Sequence, residues 1–210
     1  VIADIYFKYP TCVVIDSNNL YVADSGNDQI QILKINDDKL SFTRSFGKEK
    51  LQYPSDIVIY DNEIFINDLE NLRILVYDKI KHMNLKIFEC TTFSCYSMIV
   101  DQHFIFVTGS LNTIFKIDKK KLAIVDQIKV EVTKSKIGLR GIALENNELI
   151  VADYHNNKML VIDKESGKLV RTITDDEFKR PSWLTVYKDE IYCSSCTNNK
   201  VCVFKRHYED

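Results

Sequence analysis

Leu20-Tyr21-Val22-Ala23-Asp24-Ser25-Gly26-Asn27-Asp28-Gln29-Ile30 decides how this chain is read, because it returns as Leu149-Ile150-Val151-Ala152-Asp153-Tyr154-His155-Asn156-Asn157-Lys158-Met159. Each copy is a short apolar run that stops at Asp, a polar turn, and a second apolar run. Working outward, the pattern recurs as Glu63–Ile74 and Glu190–Val201, and more weakly around Phe104–Thr108. A further apolar run precedes each copy: Tyr9–Asp16, Tyr53–Ile59, Cys95–Val100, Leu139–Leu144 and Arg180–Val186. Later runs such as Phe42–Phe46 and Leu169–Ile173 complete a unit. The period is about 41 to 44 residues, the length of a four-stranded propeller blade.

The runs are only about five or six residues long and rich in Val, Ile, Tyr and Phe, which favours strands over the helices of a solenoid with a similar period. Glycines are few (6 in 210 residues), so Asn and Asp must make the turns. The expected fold is all-β: a β-propeller of five four-stranded blades, strands A to D in each, as one domain over 1–210. The repeats are about 9–47, 53–88, 95–128, 139–173 and 180–204. The last unit has no room for a strand D after Phe204, and Ile2–Phe7 reads as an unpaired strand ahead of the first unit. The N-terminal strand is therefore expected to complete the last blade and remove an open sheet edge. The alternative is an incomplete six-bladed ring.

These units resemble NHL repeats, most closely at Leu20–Ile30 followed by Arg44-Ser45-Phe46-Gly47, with Leu149–Met159 next. The resemblance covers almost the whole chain. It places the family's Asp at the end of strand B at Asp24, Asp68 and Asp153, with Thr108 and Ser195 as departures. Its basic residue opening strand C falls at Arg73, Lys158 and Lys200, with Gln29 and Thr113 as departures. Across a four-residue turn, Asp68 and Asp153 would face Arg73 and Lys158, and the bland reading of such pairs is a turn staple. The resemblance implies six blades more often than five. It also brings two activities to weigh, single-stranded RNA binding on a basic face and zinc-dependent lyase chemistry.

Composition narrows the rest. The net charge of -2 supplies no global field for nucleic acid or an anionic membrane. No apolar run is long enough to cross a bilayer as a helix, and Val1–Pro10 lacks the basic leader of a signal peptide. Cysteine usage and the absence of an Asn-x-Ser/Thr site point to a reducing, cytoplasmic setting. Phosphate loops, nucleophile elbows and paired-acid motifs are missing. His82, His103, His155 and His207 hold different positions in their units and are not expected to meet around a metal. Catalytic residues, metal ligands and cofactors are accordingly not assigned. Cys193-x-x-Cys196 reads as strand thiols, and pairing of Ser195 with Lys200 would set Cys193 opposite Cys202.

What remains is a binding scaffold. In a propeller the D–A and B–C loops share one face, and loops on a rigid scaffold commonly carry function. The residues expected there are Asp56, Arg73, Arg140, His155, Lys158, Lys179, Arg180, Trp183 and Lys200. Trp183 and Asp56 hold the position that Gly141 holds in the fourth unit. A Trp beside basic residues suits a protein hot spot or base stacking. A protein or peptide partner is the first reading and single-stranded RNA the alternative; a metal-dependent lyase ranks below both. A membrane or small-molecule ligand is not expected.

Overall fold

The computed structural model describes residues 6–37, 39–130, 138–176 and 178–205. Within them lie five antiparallel meanders. Blade 1 is β1 (Pro10–Asp16), β2 (Asn19–Asp24), β3 (Gln29–Asn36) and β4 (Lys39–Phe46). Blade 2 is β5 (Pro54–Tyr60), β6 (Glu63–Asp68), β7 (Arg73–Asp78) and β8 (Asn84–Glu89). Blade 3 is β9 (Cys95–Val100), β10 (Phe104–Gly109), β11 (Thr113–Asp118) and β12 (Ala123–Lys129). Blade 4 is β13 (Leu139–Glu145), β14 (Glu148–Asp153), β15 (Lys158–Asp163) and β16 (Leu169–Ile173). Blade 5 is β17 (Pro181–Tyr187), β18 (Glu190–Ser195) and β19 (Lys200–Lys205). The helical content of the described residues is one 3-10 turn, Ser25–Asn27.

Of the strand expected to complete blade 5, residues 1–5 lie outside the described set. The stretch just after them is held by blade 1. The Lys8 amide donates to Asp24 Oδ1 (2.7 Å), and the Tyr6 carbonyl accepts from Gln31 Nε2 (3.0 Å).

Gly47 and Gly167 take positive φ, but most left-handed turn positions are filled by other residues, as the composition demands. Asp61 and Asn146 open the A–B hairpins of blades 2 and 4 at φ 52°, and Ser17 does so in blade 1 at φ 55°. Short polar side chains tolerate this left-handed backbone better than branched ones. Strand A also carries a bulge near its start, between Pro10 and Cys12, Pro54 and Asp56, Leu139 and Ile142, and Pro181 and Leu184.

The chain divides into two compact units, Val1–Cys95 with 100–103 and 120–123, and Tyr96–Ile99 with 104–119 and 124–210. In the first, Tyr21, Ala23, Ile30 and Ile32 of blade 1 share a buried cluster with Ile57, Ile64, Ile66 and Leu75 of blade 2. In the second, Ile150, Met159 and Val161 of blade 4 are buried with Phe178 and with Ile191 and Cys193 of blade 5. In blades 1 to 4 the central strands therefore bury both faces along most of their length, which is why strands B and C read there as continuous apolar runs rather than alternating ones.

At Gly141 the inner strands of blades 4 and 5 come so close that a Cβ would lie 2.6 Å from Ser182 O and 2.9 Å from Leu184 N. Those are backbone atoms and cannot swing away. Gly141→Ala is expected to destabilise the fold by about 1–3 kcal/mol through overpacking, read as a lower midpoint in chemical denaturation followed by circular dichroism.

Candidate functional site

A buried polar side chain at or beside the end of strand B is the anchor from which the loops are built. Asp24 and Asp68 are wholly buried, and Asp153 nearly so. Asp24 Oδ1 takes the Lys8 amide, while Oδ2 accepts from Asn27 Nδ2 (2.8 Å), Gln29 Nε2 (2.9 Å) and Gln31 Nε2 (2.6 Å). Asp68 repeats the plan with the Gln52 amide (2.6 Å), Asn71 Nδ2 (2.9 Å) and Arg73 Nε (2.7 Å). Asp153 accepts from Asn156 Nδ2 on both oxygens. In blade 5 a hydroxyl does the same work: Ser195 Oγ accepts the Lys179 amide (2.9 Å) and donates to the Lys179 carbonyl (2.7 Å).

The expected cross-turn pairs are in register: Asp24 with Gln29, Asp68 with Arg73, Asp153 with Lys158, and Ser195 with Lys200. The Asp68–Arg73 ion pair is closed, and Arg73 also donates to the Lys50 carbonyl (2.7 Å). Blade 3 slips by one residue, so Thr108 faces Ile114 rather than Thr113. Thr108 Oγ1 bonds instead to the carbonyls of Ser97 and Arg140.

The second partner class was missed in the sequence. Asn27, Asn71 and Asn156 each stand three residues after the anchor and return to it. The signal is a recurring Asp-x-x-Asn, at Asp24–Asn27, Asp68–Asn71 and Asp153–Asn156.

From Asp153 the B–C loop of blade 4 presents Tyr154 and His155. The Tyr154 amide donates to the Gly138 carbonyl (3.0 Å). Gly138 has no Cβ where the His155 imidazole sits; a Cβ there would be 2.5 Å from the ring. The His155 ring stands edge-on to Tyr154, 5.0 Å between centroids. Arg140 places its guanidinium 4.4 Å from the Tyr96 centroid and 5.2 Å from that of Tyr154. Arg180 adds a second guanidinium 5.7 Å from the Tyr154 ring. Its backbone is left-handed (φ 51°), and its amide donates to Asn157 Oδ1 (2.9 Å). Tyr53 shows the same arrangement in blade 2, with φ 52° and an amide bond to Asp28 Oδ1 (2.8 Å). Tyr96, Arg140, Tyr154 and Arg180 thus form an alternating aromatic–cation row in the second unit. Arg140 Nε is buried and has no hydrogen-bond partner among the described residues.

The other expected residues are placed as follows. Lys179 and Lys200 are exposed, and Lys158 is half-buried beside Asp153. Trp183 is 39% exposed on β17, its amide bonded to Ser194 Oγ. Asp56 is buried, accepting from the Cys12 thiol (3.2 Å) and the Ile57 amide (2.9 Å). Asp56 and Arg73 belong to the first unit.

The first unit has a concavity of about 310 Å³ lined by Phe46, Lys48, Glu49, Lys50, Tyr77 and His82. Burial, then the neighbouring Arg44, lowers the His82 pKa. Arg44 Nη2 lies 2.7 Å from His82 Nδ1. Among the described residues no group of three or more His, Cys, Asp or Glu side chains could hold a metal; His207 lies outside that set. No helix among them is long and apolar enough to cross a membrane.

Repeating antiparallel blades of this kind define a β-propeller. The NHL repeat family model matches residues 7–33, the first unit from Phe7 into β3. That match and the five blades fit an NHL-repeat propeller family. No curated protein matches the sequence. Among solved structures, the chain is similar to the crystal structure of the computationally designed Ika8 protein, with a TM-score of 0.64 and 11% identity. The likeness covers 94% of this chain and 58% of that one, and it concerns the fold.

Protonation separates the anchors. Burial pushes the Asp24 carboxyl up, but the bonds from Gln29, Lys8, Asn27 and Gln31 overcome it, and its pKa is lowered. At Asp153 burial wins over Asn156 and Lys158, and the pKa is raised. A lowered carboxylate contributes stability above its unfolded value of about 3.9 and loses it as pH falls through the folded value. A raised one does the reverse: the folded state favours its protonated form, and stability falls as pH rises through the folded value. Asp24→Asn is therefore expected to cost more than Asp153→Asn at neutral pH and to flatten the acid limb of stability, measured by urea unfolding at neutral and acidic pH.

The thiols separate as well. Burial raises Cys90 and Cys193 to about 12, and raises Cys12 and Cys95. Cys193 does face Cys202 across β18–β19, with both sulfurs as thiols rather than a disulfide. Cys196 is exposed. Alkylation followed by mass spectrometry should show a fast phase at Cys196 that Cys196→Ser removes, with the buried thiols reacting only on unfolding.

Proposed function

We propose that this propeller is a non-catalytic scaffold that recognises a protein or peptide through the face bearing its D–A and B–C loops. NHL propellers in general are protein-interaction scaffolds, and the finer reading rests on the row of Tyr96, Arg140, Tyr154 and Arg180. Arg and Tyr are the residues that most often dominate protein interfaces. Here two guanidiniums are spread against phenol rings by backbone bonds made before any partner arrives, so little ordering is left for binding to supply. Arg140 Nε, buried and without a partner among the described residues, suits a carboxylate-bearing segment that reaches between the rings. Lys179 and Lys200 would surround that contact with exposed positive charge. A cytoplasmic setting is part of this proposal.

The same alternation of rings and cations is the chemistry of single-stranded RNA binding, by stacking and phosphate contact. RNA is the second reading because the chain as a whole carries a net charge of -2.

The test is charge reversal, Arg140→Glu with Arg180→Glu, on binding to partners captured from a lysate and to single-stranded RNA. A protein partner should be lost by at least about tenfold in affinity, with shallow salt dependence. RNA should instead give a steep linear fall of log affinity with log salt. Protein binding unaffected by both substitutions would remove the site from this face.

A further inference from the structure

The concavity of the first unit is walled by rings. Phe46, at the end of β4, packs against the core shared by blades 1 and 2. Its ring centroid lies 5.2 Å from that of Tyr77 and 4.9 Å from that of His82. A volume of about 310 Å³ falls at the small end of ligand cavities, with room for one ring and its head group.

The rim is cationic and held in place. The Gly47 carbonyl accepts from the amides of Lys50 (2.7 Å) and Leu51 (2.8 Å), which closes a tight turn. Gly47 takes φ 93°, and a Cβ there would collide with the buried Leu51 side chain. Arg73 fixes the far end of the turn by donating to the Lys50 carbonyl (2.7 Å). Lys48, Glu49 and Lys50 are thereby presented, exposed, at the mouth. Arg44 stands behind His82. Of the acids nearby, Asp78 is occupied by the Ile80 and Lys81 amides and Asp68 by Arg73. Glu49 is left against Lys48, Lys50 and Arg44.

Tyr77 supplies the polar contact. It is 2% exposed, and its hydroxyl is buried with no hydrogen-bond partner among the described residues. Burial, then Asp68, raises its pKa, so the phenol is a donor at neutral pH. A buried donor left unmet is costly, and an anionic oxygen is the acceptor that answers it most strongly.

We propose that this concavity binds a small aromatic anion, a single ring bearing a carboxylate or a phosphate. The ring packs against Phe46 and His82. The head group reaches the Tyr77 hydroxyl as the exposed rim side chains swing aside, and Lys48 and Lys50 then close on its charge.

The experiment is titration of the 210-residue chain with phenyl phosphate and with benzoate, followed by two-dimensional amide NMR. Inorganic phosphate and benzyl alcohol are run alongside. An aromatic anion should bind with shifts concentrated at residues 45–50, 77 and 82. Tighter binding of phenyl phosphate assigns a phosphate head group, and tighter binding of benzoate a carboxylate. Inorganic phosphate and benzyl alcohol each lack half of the ligand and should bind at least about tenfold more weakly. Tyr77→Phe should weaken the aromatic anion by about tenfold. It should leave the thermal midpoint of the free chain unchanged or higher, because it removes an unmet polar group. Lys48→Glu with Lys50→Glu, on an exposed turn, should abolish binding. The proposal is overturned by binding of neither aromatic anion at about 10 mM, or by either control matching them. Shifts centred elsewhere, or binding that survives Tyr77→Phe or the paired lysine reversal, overturn it equally.

Discussion

In blades 1, 2, 4 and 5 a single buried acceptor at the end of strand B organises the upper turn. It is buried, so the groups nearby must supply donors or the blade pays the full desolvation cost. Asp24, with four side-chain and backbone donors, is the fullest case. Those donors come from three places: the chain arriving at strand A, the B–C turn, and strand C. One carboxylate thereby fixes where a blade begins relative to its own hairpin, and so where its loops emerge.

The variations obey the same constraint. Ser195 satisfies the arriving chain as both acceptor and donor with one hydroxyl, and it carries no charge that a basic residue must answer. Lys200 opposite it is left exposed. Thr108 turns its hydroxyl to the carbonyls of Ser97 and Arg140, and the B–C register of blade 3 shifts with it. Where Asp68 keeps its charge, Arg73 is drawn in and held as part of the turn. Basic residues at one repeat position therefore differ in exposure, according to the anchor across from them.

The fold was legible because backbone periodicity is local: runs of Ile, Val and Phe ending at Asp24, Asp68 or Asp153 state both strand length and turn position. The B–C register followed from turn length alone, and it failed only where Gly109 and Thr113 changed the loop. The site was less legible, because it depends on contacts between blades. Arg140 and Arg180 could be placed on the loop-bearing face. Nothing in their spacing revealed that Tyr154 would stand between them, with Tyr96 on the other side of Arg140. Asp56 read as a mouth residue from its repeat position, yet the neighbouring strand brings Cys12 over it and buries it. Gly141 marks the same slot, emptied of side chain so that two backbones can meet.

Tyr9, Tyr53 and Arg180 occupy one left-handed slot just before strand A, at φ 48°, 52° and 51°. In two of them the amide is tied to the preceding blade's turn, while the side chain is left out of the tie. Backbone geometry and side-chain identity are thereby decoupled at this slot. Such a position can exchange phenol for guanidinium with no change in the framework beneath it, so specificity can drift from blade to blade while the architecture stays constant.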